Sequence, residues 1–533
     1  MKDNLNIKID GRGKDRLEII EALLNSRNAD EFELLNPSEN DLIPYDDMIN
    51  LSKGFDLLYD SIFANCSRHD KILIHADVDV DGLTSYSIIY QYLKNYMPET
   101  RIKATINKGK VHGIENYDLN NLEDVDLMII VDSINDLEEY QRILETGVKI
   151  LILDHHIISK EVIEFEKNNE NICLISSANN YPNPMLSGSG VVWKFCRYFD
   201  DMTLNDYSDS LVDLAMTGII SDMCDVTTKE NYYICHKGLT NIKNPVLKEF
   251  AKGYTFNGET ITYGIAPVIN SAMRMLQNDY VLDIFNLVDK KEIKKKIEHL
   301  KFIKTKQNEE VEKLLSTDTD IKDYGKLAVA VIKDNEYNLK GLMANAIMSN
   351  IQKPLICVTK HDNYYSGSAR AIGVDNFLKI SEDTNEIVFA KGHENAFGIK
   401  INSDNLDSYV KKVNKILNET EFKNEITIDC QINPYQITIQ FIDDIERLSV
   451  VTGEGYKPYK FMVELKANTF SVGAIKNTHM KITSADMNYI KWNDNSIEQY
   501  MGKDIIVIGT LNKSKFMGKV QKQMIIDKII VKE

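Results

Sequence analysis

The sequence predicts an α/β protein of two lobes joined by a long helix, with a small C-terminal β-barrel of the oligonucleotide-binding kind. Three observations carry this. Between residues 51 and 245, short apolar runs alternate with helix-like segments, the pattern of a parallel βαβ sheet. Around residues 275–316 a helical stripe of Ile293, Ile297, Leu300 and Ile303 persists for many turns, opposite a Lys-rich face. Beyond residue 425, short strands separated by Gly, Asn and Lys turns dominate. The changes of pattern divide the chain into an appendage (1–50), a first α/β domain (51–274), a connecting helix (275–322), a second α/β domain (323–422) and the barrel (423–533).

The chain has 533 residues, 43% apolar and 27% charged, an ordinary globular composition. No run approaches the roughly 18 apolar residues of a membrane span, and the first residues do not resemble a signal peptide. Seven cysteines are scattered with no C-x-x-C pair, the usage of a reduced cytoplasmic protein without a zinc knuckle. The net charge of −17 argues against nucleic acid on average. The local picture differs: from residue 505 onward six Lys (513, 515, 519, 522, 528, 532) face only Asp527 and Glu533.

Taken in order, residues 17–24 read as a helix in the appendage. Ile72-Leu73-Ile74 reads as a strand leading into His75-Ala76-Asp77-Val78-Asp79-Val80-Asp81-Gly82. A helix over 83–93 follows, with Thr84 and Ser85 as caps. Residues 127–131 form a second such run, ending in Asp132. Residues 148–153 form a third, ending in Asp154-His155-His156. Residues 214–221 form a fourth, ending in Asp222. Ser187-Gly188-Ser189-Gly190 reads as a helix N-terminus. In the second domain, 327–332 and 355–359 read as strands, Arg370 as a turn residue after Gly367-Ser368, and Lys391-Gly392-His393 as following a strand and leading to Gly398. In the barrel, strands are expected over 426–432, 435–442, 461–465, 470–475, 480–483, 504–511 and 523–531.

Four apolar runs that each deliver carboxylates point to one site, because open α/β sheets place their chemistry beyond the carboxyl ends of strands. Crowded carboxylates repel unless a cation joins them. Asp with a minority of His suits Mn2+ or Mg2+ better than zinc. Five or more ligands exceed the needs of one ion with an open position and suit two, about 4 Å apart, which points to phosphodiester hydrolysis. Asp132 is the natural bridge. One of His155 and His156 is expected to ligate, and the other to contact phosphate or orient a neighbour.

The motifs HADVDVDGLTS, IIVDS, LDHH and LAMTGIISD resemble, in order and spacing, the DHH phosphoesterase superfamily, and within it the RecJ-like single-stranded-DNA-specific exonucleases. IAPVINSAMRM (265–275), SGSAR (366–370), KGHENAFG (391–398) and the tail motifs GEGYKPYKF (453–461), NTHMKI (477–482) and LNKSKFMGKVQKQMIIDKI (511–529) extend the likeness over about residues 50–533. The resemblance implies a DHH lobe and a DHH-associated α/β lobe around a cleft, followed by an oligonucleotide-binding fold. It implies two Mn2+ or Mg2+ ions held by ligands drawn from Asp77, Asp79, Asp81, Asp132, His155 and Asp222, with His75 beside them and Asp154 in support. Catalysis would rest on Asp79, Asp81, Asp132, His155, His156 and Asp222. Phosphates would meet His156, Asn270, Arg274, Ser368, Arg370, Gly392 and His393. Tyr456, Tyr459 and Phe516 are candidate stacking groups in a basic groove, with packing in the barrel core as the other reading of each. Lys391 and Met273 stand where the family has glycine.

The implied activity is 5′→3′ hydrolysis of single-stranded DNA to 5′-mononucleotides, in DNA repair, recombination or replication. The expected setting is a cytoplasmic monomer, with a single-strand-binding protein or helicase as partner and no membrane. Two other readings stand beside it: a phosphodiesterase for short oligonucleotides or cyclic dinucleotides, and a non-catalytic single-strand-binding scaffold.

Overall fold

The computed structural model describes residues 6–63, 71–252, 256–317, 319–333, 337–420, 422, 425–475, 478–484, 486–494, 496–516 and 519–532. The first lobe is built on five parallel strands: β2 (Lys71–Ala76), β3 (Ile102–Ile106), β4 (Val125–Val131), β5 (Lys149–Asp154) and β6 (Ile172–Ser176), in the order β3-β2-β4-β5-β6. Alternate residues of each central strand enter different cores. Ile72, Ile74, Ile129, Val131, Leu151 and Leu153 face the helices Val80–Leu93 and Gly188–Thr203. Leu73, Met128, Ile130, Ile150 and Ile152 face Leu137–Leu144 and Lys160–Lys167. Burial on both sides explains why these strands read as unbroken apolar runs. Each such side chain contributes about 1.5–3 kcal/mol by leaving water. Chain order reverses between β2 and β4, so the crevice at their carboxyl ends is a topological switch point.

Two expectations change in this lobe. The run before Asp222 is the helix Val212–Ser221, not a strand. It is apolar all round because helices enclose it, and periodicity alone cannot separate that case from a buried strand. The helix after the first Asp cluster starts at Val80, capped by Asp79, whose carboxylate accepts the Gly82 N–H at 3.1 Å. Thr84 instead bonds back to the Val80 and Asp81 carbonyls, inside the helix.

The helix Lys290–Thr317 joins the lobes. Ile293, Ile297, Leu300 and Ile303 belong to the first core, and Leu314 to the second. The helical stretch expected over 275–316 is interrupted: a short helix Asn278–Val281 and a 3-10 turn Ile284–Asn286 precede it. The second lobe is a sheet ordered β11-β12-β10-β9-β8-β7, from β7 (Thr319–Asp323), β8 (Ala328–Ile332), β9 (Leu355–Lys360), β10 (Tyr364–Arg370), β11 (Ile387–His393) and β12 (Ala396–Asn402). Ser368 and Arg370 lie within β10 rather than in a turn, and Lys391, Gly392 and His393 lie within β11 rather than after a strand. Antiparallel pairing to β12 holds both strands extended.

Strands β13 (Glu425–Ile428), β14 (Cys430–Ile432), β15 (Lys460–Leu465), β16 (Ser471–Ile475), β17 (His479–Ser484), β18 (Met487–Lys491), β19 (Ile505–Phe516) and β20 (Lys519–Val531) follow. Seven of them form a sheet ordered β14-β15-β19-β20-β18-β17-β16. The strand expected over 435–442 is instead the helix Ile439–Leu448, capped by Thr438. Its buried Phe441, Ile442, Ile445 and Leu448 follow helical, not strand, spacing. The eighth strand, β13, pairs in parallel with β1 (Asn6–Ile9), so the N-terminal residues dock on the C-terminal region. Among the described residues no helix is long and apolar enough to cross a membrane.

Candidate metal centre

Asp77 and Asp79 follow β2, Asp132 follows β4, and Asp154, His155 and His156 end or follow β5. These are three adjacent strands, so their ends converge. Asp222 arrives from the helix Val212–Ser221. Three overlapping groups of ligand atoms result, each within 4.8 Å: Asp77, Asp79 and Asp132; Asp132, His155 and His156; His155, Asp222 and Cys224. His155 Nε2 stands 3.2 Å from Asp132 Oδ1 and 3.6 Å from Asp222 Oδ2. Asp132 takes a left-handed backbone (φ 59°), a strained conformation of the kind stored at functional sites. Its position is made by a glycine: a Cβ on Gly188 would fall 2.5 Å from Asp132 Oδ1.

The electrostatics are those of a cation site. Burial, then the charges of Asp81, Asp79, Asp77 and Asp222, push the Asp132 carboxyl well above the usual range. Burial, then Asp81 and Asp79, do the same to Asp222. Asp77 Oδ1 and Asp132 Oδ1 are buried oxygens without a hydrogen-bond donor. Unsatisfied buried acceptors are costly, and a divalent cation satisfies several at once. The donor set therefore fits one.

His156 has a different environment. Burial penalises its charged form, but the charge and hydrogen bond of Asp154, reinforced by Asp77 and Asp222, push the ring up to about 9. Asp154 is fully buried and accepts from His156 Nδ1 at 2.9 Å and from its backbone N–H at 3.0 Å. A charged ring so held offers its remaining N–H to an anion.

Two residues expected among the ligands are occupied elsewhere. Asp81 accepts from Ser187 Oγ (3.0 Å), Gly188 N–H (2.8 Å) and Ser189 N–H (3.1 Å), closing the N-terminus of Gly188–Thr203. Asp79 and Asp81 are two apart, but helix geometry starts at Val80, so they point to different partners. His75 spends Nδ1 on Thr105 Oγ1 (3.0 Å) and Nε2 on the Gly113 carbonyl (3.2 Å). Burial lowers its ring to about 4, leaving it neutral under the 105–113 loop.

That loop supplies two groups the sequence reading missed. His112 Nδ1 sits 2.8 Å from Asp77 Oδ2. Lys110 donates to the Val78 carbonyl; burial lowers its ammonium against the pull of Asp79, Asp77 and Asp132. The only signal was composition, three basic residues in Lys108-Gly109-Lys110-Val111-His112.

The phosphate candidates continue from this centre to the second lobe. Burial lowers the Arg274 guanidinium against the pull of Asp79; burial, and then repulsion from Arg274, lower Arg370 and Lys304. Asn270, one turn before Arg274, has a buried Oδ1 without a donor. Register aligns the rest: Ser368 pairs Gly398, which pairs Lys391, while Arg370 pairs Ala396, which pairs His393. Paired positions share a face. Glycine and alanine thus floor a strip with Ser368 and Arg370 on one side and Lys391 and His393 on the other. Gly392 between them takes φ 142°, and a Cβ there would meet the Ala396 carbonyl at 2.8 Å.

The stacking candidates fare differently. Tyr456 and Tyr459 are buried, bonded to each other at 2.8 Å, and covered by Arg27. They are interior groups without a free face for a base. The Phe516 side chain lies outside the described ones.

Residues 71–219 match the DHH family, N-terminal domain, and residues 428–528 the RecJ OB domain. A Bacillus subtilis relative described as an SPbeta prophage-derived single-strand DNA-specific exonuclease, YorK, is 26% identical over 560 residues, covering 94% of each chain. The single-stranded-DNA-specific exonuclease RecJ of Bacillus subtilis is 24% identical, over 98% of this chain and 67% of its own. Among solved structures, RecJ of Thermus thermophilus in complex with Mn2+ superposes with a TM-score of 0.76 at 19% identity, over 100% of this chain and 80% of that one.

Proposed function

We propose that this chain, a RecJ-like member of the DHH family, hydrolyses single-stranded DNA from the 5′ end with two Mn2+ or Mg2+ ions, releasing 5′-mononucleotides. The observation that carries the reading is the convergence of Asp77, Asp79, Asp132, His155 and Asp222, with orphaned buried oxygens, on one switch-point crevice. A bound pair of such ions supplies an acidified water and clamps the attacking and leaving oxygens.

The chain's own residues do the remainder. Asp77, Asp79 and Asp132 would hold one ion with oxygen donors alone, and His155 and Asp222 would hold the second, with Asp132 Oδ1 3.2 Å from His155 Nε2. His156, held charged by Asp154, donates to a phosphate oxygen at the scissile bond. Arg274, Arg370, Ser368, Lys391 and His393 hold neighbouring phosphates along the strip. In this reading residues 51–274 and 323–422 form the cleft, 275–322 spaces them, and 423–533 guides the strand. The chain acts as a cytoplasmic monomer in DNA repair or recombination, and a single-strand-binding protein or helicase presents its substrate.

The test is Mn2+-dependent digestion of single-stranded DNA labelled at either end, with blunt duplex and Asp132→Ala as controls. The 5′ label should leave first, as a mononucleotide, and the variant should lose about a hundredfold or more of the rate. Cleavage of short oligonucleotides alone would replace this reading with an oligonucleotide phosphodiesterase. Binding without cleavage would leave a scaffold.

A further inference from the structure

The group formed by His155, Asp222 and Cys224 differs in kind from the all-oxygen group formed by Asp77, Asp79 and Asp132. Cys224 is buried and donates its S–H to Asp222 Oδ2 at 3.5 Å; His155 Nε2 lies 3.6 Å from the same oxygen. The turn after Val212–Ser221 sets this up. Met223 takes a left-handed backbone (φ 59°), and the Cys224 N–H returns to the Ile219 carbonyl at 3.1 Å. The two side chains, one residue apart on either side of Met223, are thereby brought into contact. Among the described residues, no other cysteine belongs to such a group.

The separations suit coordination. Ligands about 2.0–2.3 Å from a tetrahedral ion stand roughly 3.3–3.8 Å apart. We propose that Cys224 Sγ is a third ligand of the cation position bounded by His155 and Asp222, and that this position prefers borderline-soft divalent ions such as Zn2+, Co2+ or Cd2+ to Mg2+. The thiol loses its proton to solvent as the sulfur–metal bond forms. Nitrogen, oxygen and sulfur donors then face the three-carboxylate position, which suits Mn2+ or Mg2+, so the two positions differ in the ion they hold best. A four-coordinate ion held by these three donors would keep one place for water or a phosphate oxygen. The inference rests on the two-ion reading above.

The test is a Co2+ titration of the chelator-treated full-length protein, followed by absorbance, for the native chain, Cys224→Ser and Cys224→Ala. The native protein should develop a near-ultraviolet sulfur-to-cobalt charge-transfer band that saturates with its visible Co2+ bands. Both variants should lose the charge-transfer band, keep weaker visible bands, and bind Co2+ about tenfold or more less tightly. Visible bands without charge transfer in the native protein would leave the metal centre standing and remove Cys224 from it. A charge-transfer band surviving in both variants would assign the sulfur to another cysteine and overturn the proposal. Absence of any Co2+ binding would overturn this proposal and the two-ion reading together.

Discussion

Gly188 is a glycine because the Asp132 carboxylate occupies the space beside its Cα. An added Cβ would stand 2.5 Å from Oδ1 and 2.8 Å from the Asp132 Cβ and Cγ, so a methyl must displace the carboxylate from its place between the two ligand groups. Gly188→Ala is expected to cost about 1–3 kcal/mol of stability. It should also lower Mn2+-dependent digestion by a far larger factor than that loss of folded protein explains. Thermal denaturation beside a rate assay checks both, and near-native activity would refute the placement of Asp132. Asp81 makes the opposite case. Its oxygens serve Ser187, Gly188 and Ser189, so Asp81→Ala leaves buried donors unpaired. A destabilisation of about 1–3 kcal/mol is expected in chemical denaturation. Metal affinity of the molecules that remain folded, read by calorimetry, should stay closer to native than in Asp132→Ala.

Among the elements, the N-terminal arm shows how distant parts of the chain are tied. Arg27 follows the helix Arg16–Ser26, forms a two-point pair with Asp429 (2.9 and 3.1 Å), and lies 3.8 Å over the ring of Tyr459. Both charged partners are largely buried, so removing one strands the other. Arg27→Ala is expected to cost about 2–4 kcal/mol. Release of the arm should appear as faster limited proteolysis within residues 1–50, and unchanged proteolysis would mean that the β1–β13 pairing and contacts such as Arg16–Asp444 and Arg447–Glu31 hold the arm without Arg27. The same pairing affects deletion experiments. Removing residues 425–533 takes away β13, the partner of β1, and so disturbs both ends of the chain.

Over the whole molecule, the basic groups of the tail and those beside the metal centre have different partners. Of the six C-terminal lysines, Lys513 pairs with Asp443 and Glu446, Lys522 with Asp486, and Lys532 with Glu464. Arg370 and Lys304 are instead each repelled by Arg274. Binding of single-stranded DNA should weaken as salt rises, with the slope set mainly by the cleft. In fluorescence anisotropy, Arg274→Ala and Arg370→Ala should each flatten the log–log salt slope by about 0.7, the expectation for one phosphate contact on a single strand. Lys513→Gln and Lys522→Gln should change it little. The reverse order would move the DNA track onto the OB domain.

The strands of the first lobe, their carboxylate-bearing ends and the RecJ-like DHH pattern were legible in the sequence. Apolar runs and the residues that end them are local features, and burial on both faces of a parallel sheet writes them as continuous text. What local text could not decide was orientation. Asp79 and Asp81 look equivalent in HADVDVDG, yet a helix starting at Val80 turns one toward Asp77 and Asp132 and the other toward Ser187. His75 adjoins the cluster in sequence but is consumed by Thr105 and Gly113, while His112, 35 residues beyond Asp77, meets its carboxylate. Residues 214–221 could be strand or helix until their enclosing helices were known. Tyr456 and Tyr459 could stack on bases or pack in the core, and their burial under Arg27 decides for the core. Sequence alone determined which chemical groups gather at the strand ends, because that depends on neighbours along the chain. Tertiary structure decided which of them face one another, because that depends on hydrogen bonds and packing between segments far apart in it.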